Sequence, residues 1–174
     1  MRKLLVITAV VMAFCLSSFA QRAEVFGGYA YTNVQTPDER VGLHGWDANV
    51  TGLFNENFGI MADFSGAYGT PSVAGFDVDV TDHFYLFGPV VRTNVGGAAA
   101  SAHALFGGVR SKGEVAGIEA TDSSFAWALG GAFDVNAGEN FAIRLGQFDY
   151  IRTNFDGDST NNHFRYAAGV VLRF

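Results

Sequence analysis

Cysteine is almost missing from these 174 residues: the one present, Cys15, lies inside an apolar N-terminal run. Disulfides and thiol chemistry are therefore closed to everything after that run. Proline is scarce too, at three residues, which leaves the 22 glycines to make turns and close backbone approaches. Lys and Arg total 11 against 17 Asp and Glu, and a chain of that sign is a poor partner for nucleic acid. Beyond the N-terminal run no stretch approaches the roughly 18 uninterrupted apolar residues of a spanning helix, so a helical membrane protein is excluded. No apolar pattern of helical period runs for a useful length, and no linker divides the chain. What the sequence has is rings: 17 Phe, 6 Tyr and 2 Trp, a composition that suits strands.

Residues 1–20 carry Arg2 and Lys3 before an apolar run from Leu4 to Leu16, then Ser17-Ser18-Phe19-Ala20 before Gln21. This is the pattern of a secretory signal peptide cleaved between Ala20 and Gln21. Its apolar core is shorter than the roughly 20 residues of a membrane anchor. Ala13-Phe14 lacks the small residue expected just before a lipidated cysteine. The mature domain is then expected to be residues 21–174, a single domain with nine Lys and Arg against 17 Asp and Glu, a formal charge of −8.

About eight segments of alternating character follow, each near ten residues long, the number and span of the smallest transmembrane barrels. They are Ala23–Asn33, Leu43–Phe54, Phe58–Tyr68, His83–Thr93, Ala102–Arg110, Phe125–Val135, Phe141–Thr153 and His163–Phe174. The sixth is the clearest, with Phe125, Trp127, Leu129, Phe133 and Val135 on one side and Ala126, Ala128, Gly130, Ala132 and Asp134 on the other. The fourth has four consecutive large residues, Phe84 to Phe87, and does not reveal its faces; Pro89 inside it points to a bulge or a locally unpaired backbone position. In the seventh, parity changes between Arg144 and Gln147, and one extra residue near Gly146 would bring Arg144, Gln147 and Asp149 to one face. Short connections (residues 55–57, 96–101 and 136–140) alternate with longer polar ones (35–42, 69–82, 112–124 and 154–162). That asymmetry matches periplasmic turns and outer loops.

The fold class expected is all-β, an eight-stranded antiparallel up-and-down transmembrane barrel after a cleaved leader. A soluble lipocalin-like barrel is the competing arrangement, with bulky apolar residues inward around a ligand. Here the bulky face is ringed and aliphatic, and its opposite carries Gly, Ala, Ser, Thr and scattered charges. An eight-stranded interior is just wide enough for side chains, and rings from every strand would overfill it. Glu24, Asp47, Asp63, Asp134, Arg144, Asp149 and Arg165 lie on the small-residue faces and are expected to pair as a lumen charge network. An Arg facing lipid would cost about 2–4 kcal/mol at mid-depth. Tyr29, Tyr31, Trp46, Tyr68, Trp127, Tyr150 and Tyr166 supply rings for interfacial girdles.

With the leader, Val25-Phe26-Gly27-Gly28-Tyr29, Gly88-Pro89, Ala128-Leu129-Gly130-Gly131 and the terminal run Gly169-Val170-Val171-Leu172-Arg173-Phe174, the chain resembles the small outer-membrane β-barrel superfamily of OmpA-like domains, OmpX-like proteins and opacity-type surface proteins. The resemblance implies an outer-membrane location in a Gram-negative envelope, contact with lipid and a monomeric barrel. It also implies that Gly169, Leu172 and Phe174 form the signal read by the assembly machinery. Ala167 and Leu172 depart from the commoner pattern, which has a polar residue and an aromatic at those places.

Some barrels of this size are enzymes, but His44, His83, His103 and His163 are scattered, and none precedes a Ser by the two residues a deacylase-like site needs. Each is expected to be a lumen or loop polar residue, and no catalysis and no cofactor are expected. Asp156 and Asp158 offer alternating oxygen ligands for a divalent cation, yet the run lacks the glycine and terminal glutamate of an EF-hand loop, which favours a solvated acidic loop. The function expected is that of a non-enzymatic barrel with a packed polar lumen and exposed loops serving adhesion, envelope integrity or contact with an unknown surface ligand. A narrow small-solute channel and a secreted lipocalin-like binding barrel are the alternatives.

Overall fold

In the computed structural model the residues described are 22–35, 40–70, 72–73, 76–77, 79–115, 118–155 and 159–174. The expected leader with its cleavage residues Ala20 and Gln21, and Asp156 and Asp158, lie outside them. Ten strands follow in chain order: β1 (Arg22–Gln35), β2 (Arg40–Leu53), β3 (Phe58–Gly69), β4 (Ser72–Val73), β5 (Phe76–Asp77), β6 (Asp79–Val95), β7 (Ala98–Val115), β8 (Ile118–Asn136), β9 (Phe141–Phe155) and β10 (Ser159–Arg173). Eight of them close a barrel in the order β1-β10-β9-β8-β7-β6-β3-β2, while β4 and β5 pair only with each other. Every barrel pairing is antiparallel. The barrel is a meander whose two ends meet where β1 pairs with β10, so the sheet has no open edge.

The strands are longer than the apolar alternation. Pairing of β7 with β8 runs up to Val115 opposite Ile118, and β10 begins to pair with β9 at Ser159. Much of what composition marks as long loop is therefore ladder. The reason is that alternation records only where one face meets hydrocarbon, whereas backbone pairing continues into water without an apolar face. The short end is made by tight turns. Asn55 Oδ1 accepts from the N–H groups of Asn57 and Phe58 at 2.9 and 2.8 Å. Gly96, with φ +60°, takes the left-handed conformation between β6 and β7.

Two irregularities fall where parity or proline marked them. Across β6 and β7 the ladder is interrupted at Gly88-Pro89 but resumes in the same register, Phe87 opposite Phe106 and Val90 opposite His103. Pro89 therefore leaves an unpaired position and no bulge. Gly88 suits the gap because a Cβ there would sit 2.0 Å from the Ala104 carbonyl oxygen. In β9 the register shifts against both neighbours, between Phe133 and Asp134 on one side and between Ala167 and Gly169 on the other, so one extra residue lies at Leu145-Gly146. That bulge places Arg144, Gln147 and Asp149 on one buried face.

The faces of β6, undecided from sequence, resolve to Phe84, Leu86, Val90 and Arg92 inward and Tyr85, Phe87 and Val91 outward. The interior also differs from expectation. Besides small and charged residues it holds an apolar cluster of Met61, Phe84, Leu86, Val90, Leu105, Val109 and Ile151 with two alanines, and a second containing Phe26 and Val171. Closure leaves unequal room between the charged groups, and these larger side chains fill the spaces that Gly and Ala on neighbouring strands leave.

Deleting Gly146 removes the extra residue and turns Arg144 out of the lumen. The expected loss is at least the roughly 2–4 kcal/mol of a lipid-facing Arg, read as a lower urea midpoint for unfolding from lipid vesicles. An unchanged midpoint would show that the bulge does not set the parity of β9.

Candidate functional site

Alternate positions on all eight barrel strands point inward, and closure brings residues that are about a hundred positions apart into contact. The centre of the lumen is organised by Arg165, only 2% exposed. Its Nη1 and Nη2 donate to the two oxygens of Asp63 at 2.9 and 3.1 Å, and its Nε donates to Asp149 Oδ2 at 3.0 Å. Nη1 also donates to Ser65 Oγ at 2.6 Å and lies 3.4 Å from Asp47 Oδ2. One guanidinium thus holds three carboxylates from β2, β3 and β9. His103 Nε2 reaches Asp149 Oδ1 at 2.6 Å.

A second layer lies toward the short-turn end. Arg144 Nε and Nη2 donate to the two oxygens of Asp134 at 2.7 and 3.2 Å, and the guanidinium stacks 4.4 Å from the centre of the Phe26 ring. Glu24 accepts from Arg92 and, at 2.8 Å, from Arg173 Nε. Gln147 joins the layers: its Oε1 accepts from Arg144 at 2.6 Å and its Nε2 donates to Asp149 at 3.0 Å. All seven residues picked from sequence, Glu24, Asp47, Asp63, Asp134, Arg144, Asp149 and Arg165, are buried here. Asp47, Asp63, Asp149 and Arg165 meet in the central layer, Asp134 and Arg144 in the lower one, and Glu24 joins the latter through Arg173.

The sequence reading left out Arg92, His103, Gln147, Arg173 and Asn49, whose Nδ2 donates to Gln147 Oε1 at 3.3 Å, as members of the network. Arg92 sits on the strand whose faces were undecided. Arg173 alternates in step with Arg165 along β10, a signal that was present, and Gln147 shares the face of Arg144 once the bulge is placed. His103 had no such signal.

Two histidines depart from the expectation of lumen or loop. His44 and His83 face outward among the girdle rings: His44 hydrogen-bonds Tyr29 and packs edge-on against Tyr31, and His83 Nε2 lies 3.3 Å from Tyr68 OH. Outward pointing follows from the parity of β2 and β6, and an adjacent phenol bonds one ring nitrogen of each. His103 and His163 are in the lumen. Thr153 Oγ1 lies 3.2 Å from His163 Nε2; both residues are buried, and the Phe84 ring packs edge-on against His163. Among the described residues no group of three or more His, Cys, Asp or Glu is placed to hold a metal ion.

The outside of the barrel is a continuous apolar belt. Every barrel strand contributes exposed rings or branched side chains, for example Tyr29, Trp46, Phe64, Phe87, Phe106, Leu129, Phe148 and Val170. Such a surface far exceeds the few hundred Å² of apolar patch usual on a soluble monomer, and it is a lipid-facing surface. Phe54, Phe58, Phe141 and Phe174 ring the short-turn end, and Tyr and Trp lie further along the strands, tied by bonds such as Trp46 Nε1 to Tyr68 OH at 3.1 Å. The lipocalin arrangement, with rings inside and charges outside, is overturned. Of the three residues expected to form an assembly signal, Gly169 sits at the β1–β10 seam, where a Cβ would lie 2.3 Å from the Gly27 carbonyl oxygen, and Leu172 and Phe174 face outward.

Outward rings, inward ion pairs and full closure define an eight-stranded barrel of the outer-membrane type. Solved structures of the same fold are similar to it. Ail, the attachment invasion locus protein of Yersinia pestis, is 21% identical with a TM-score of 0.65, covering 89% of this chain and 99% of that one. The same protein in complex with the heparin analogue sucrose octasulfate gives 19% and 0.66, over 88% and 98%. Neisserial surface protein A is 9% identical with a TM-score of 0.72, over 87% of this chain and 97% of that one. OprG of Pseudomonas aeruginosa is 11% identical with a TM-score of 0.57, over 89% and 96%. No protein-family model and no curated protein matches the chain. At these identities the likeness is one of fold.

Replacing Arg165 by Met strands buried carboxylates and is expected to cost about 3–5 kcal/mol of folding free energy. Asp47→Asn, which touches Arg165 only at 3.4 Å, is expected to cost much less. Urea unfolding in lipid vesicles measures both, and equal losses would remove Arg165 as the organiser of the layer.

Proposed function

We propose that this protein is a non-enzymatic barrel of a Gram-negative outer membrane, delivered behind a leader at residues 1–20 and inserted through the signal Gly169, Leu172 and Phe174. In this reading the barrel is a packed, monomeric stem that presents the long-connection end as a contact surface in adhesion or envelope integrity. The observation that carries the reading is Arg165 clamped against Asp63 and Asp149 across the centre of the lumen, in a layer where all three side chains are inaccessible. A conducting path would have to break charge-assisted bonds that have no solvent to replace them.

The charge at the long-connection end indicates the kind of partner. The four long connections, residues 35–42, 69–82, 112–124 and 154–162, hold ten Asp and Glu against two Lys and Arg, and of the ten Asp82 is buried inside the barrel and adds nothing to the surface. An acidic surface repels polyanions such as the heparin analogue bound to Ail and attracts cationic partners, most strongly at low salt. Asp156 and Asp158 belong to that acidic surface in this reading, as solvated residues.

Folded protein is expected to partition with the outer-membrane fraction and to migrate faster on gels before boiling than after. Recovery as a soluble protein would refute the membrane role. In planar bilayers no reproducible single-channel steps are expected; regular steps at low protein loading would favour the channel instead. Sucrose octasulfate is expected not to bind the detergent-folded barrel, while a basic peptide binds and is released as salt rises. The opposite preference would overturn the contact-surface assignment.

A further inference from the structure

The outer face of β8, β9, β10 and β1 is not an even wall of rings. Tyr150 and Phe164 pair across β9 and β10 with ring centres 5.3 Å apart, and Phe148 and Tyr166 pair one row nearer the short turns at 5.1 Å. The two tyrosine hydroxyls are held in opposite directions. Tyr150 donates to Asn162 Oδ1 at 2.8 Å, toward the long connections, while Tyr166 donates to the Leu145 carbonyl oxygen at 2.7 Å, toward the short turns. The rows are splayed, and a slot of about 440 Å³ lies between them. Leu129, opposite Tyr150, and Tyr31, opposite Tyr166, stand at its two sides. Asp149 and Arg165 also line it, but their side chains point into the lumen, so they give only backbone to its floor.

At this depth the slot opens to hydrocarbon, where there is no water to fill it. Left empty it would cost its walls their dispersion contacts, so a lipid chain belongs there. A chain entering it from bulk lipid gains packing but no hydrophobic energy, because the surroundings it leaves are equally apolar. Preference for one lipid must therefore come from the polar end. Asn33 lines the upper edge of the slot, and Arg152, two positions past Tyr150 and opposite Asn162, is the first charged residue beyond the apolar face of β9. Arg152 is exposed, and among the described residues no carboxylate pairs with it. Arg110 holds the corresponding place on β7, but the Tyr85 ring covers Gly108 beneath it, where a Cβ would lie 2.7 Å from that ring. A cation above an open slot is thus particular to β9.

We propose that this slot is a binding site for one anionic, phosphate-bearing membrane lipid, with an acyl chain between the two rows of rings and the phosphate at Arg152. The guanidinium matches phosphate oxygens in charge and geometry, and Asn33 offers an amide to the polar end of the lipid. The site uses neither the lumen nor the long connections.

The test reads the fluorescence of Trp127, whose ring packs 5.8 Å from Tyr150; Trp46→Phe leaves it the sole tryptophan of the chain. The full mature barrel is folded into phosphatidylcholine vesicles containing a rising fraction of phosphatidylglycerol with brominated acyl chains, or of phosphatidylcholine brominated in the same way. Quenching by the anionic lipid is expected to saturate at about fivefold lower fraction than quenching by the zwitterionic one, the worth of one cation at a lipid surface. Arg152→Gln is expected to abolish that difference, and Leu129→Phe, which puts a ring into the slot, to reduce it. Arg110→Gln, which removes an equal charge with no slot beneath it, is expected to leave it unchanged. Equal quenching by the two lipids would overturn the site, as would an equal effect of Arg110→Gln and Arg152→Gln, which marks surface charge alone. Quenching by neither lipid would show the slot filled by protein, such as a second copy of the chain, and would overturn it too.

Discussion

Arg165 and the three aspartates around it are the interaction on which the rest of the barrel depends. Each of those groups is far too costly to bury alone, and each is inside because the others are. Asp63 comes from β3, Asp47 from β2, Asp149 from β9 and Arg165 from β10. Only a closed sheet brings those four strands round one axis. The ion cluster therefore cannot form in a partly paired sheet, and a sheet in any other register would leave its members in hydrocarbon. Closure and charge pairing stabilise each other.

The same constraint explains the outer face. Once charges and small residues occupy the lumen, alternation places Phe, Tyr, Trp, Leu, Ile and Val on the other side of every strand, and only lipid can accommodate a belt of that extent. Girdle polarity is then satisfied locally, phenol to imidazole at Tyr68 and His83 and indole to phenol at Trp46 and Tyr68. The two histidines belong to the membrane-facing surface for the same reason that Asp63 belongs to the lumen: strand parity allows no third choice.

Within the lumen the charges are not evenly mixed. Carboxylates outnumber guanidinium groups in the central layer, where Arg165 faces Asp47, Asp63 and Asp149, and guanidinium groups outnumber carboxylates near the short turns, where Arg92, Arg144 and Arg173 face Glu24 and Asp134. Gln147, able to donate and accept at once, is the bridge between the two. The barrel is thus plugged at its centre and basic at one inner end, with the acidic connections at the other.

The eight barrel strands, the ringed side of most of them and the bulge near Gly146 were legible in the sequence, because period-two alternation and its one break are local signals; the short pair β4–β5 and the faces of β6 were not. Glu24, Asp47, Asp63, Asp134, Arg144, Asp149 and Arg165 were legible as inward residues for the same reason. Which of them meet was not, since Arg165 to Asp63 spans about a hundred residues and depends on the closing pair β1–β10. Arg92 and Phe84 were hidden by four consecutive large residues that erase parity, and the true strand ends by ladders that continue beyond the apolar belt. By itself the sequence determined the sidedness of the strands whose alternation is unbroken, because that needs only neighbours two positions apart. Tertiary closure alone decided the partners and the interior apolar clusters, because those depend on register summed around the whole barrel.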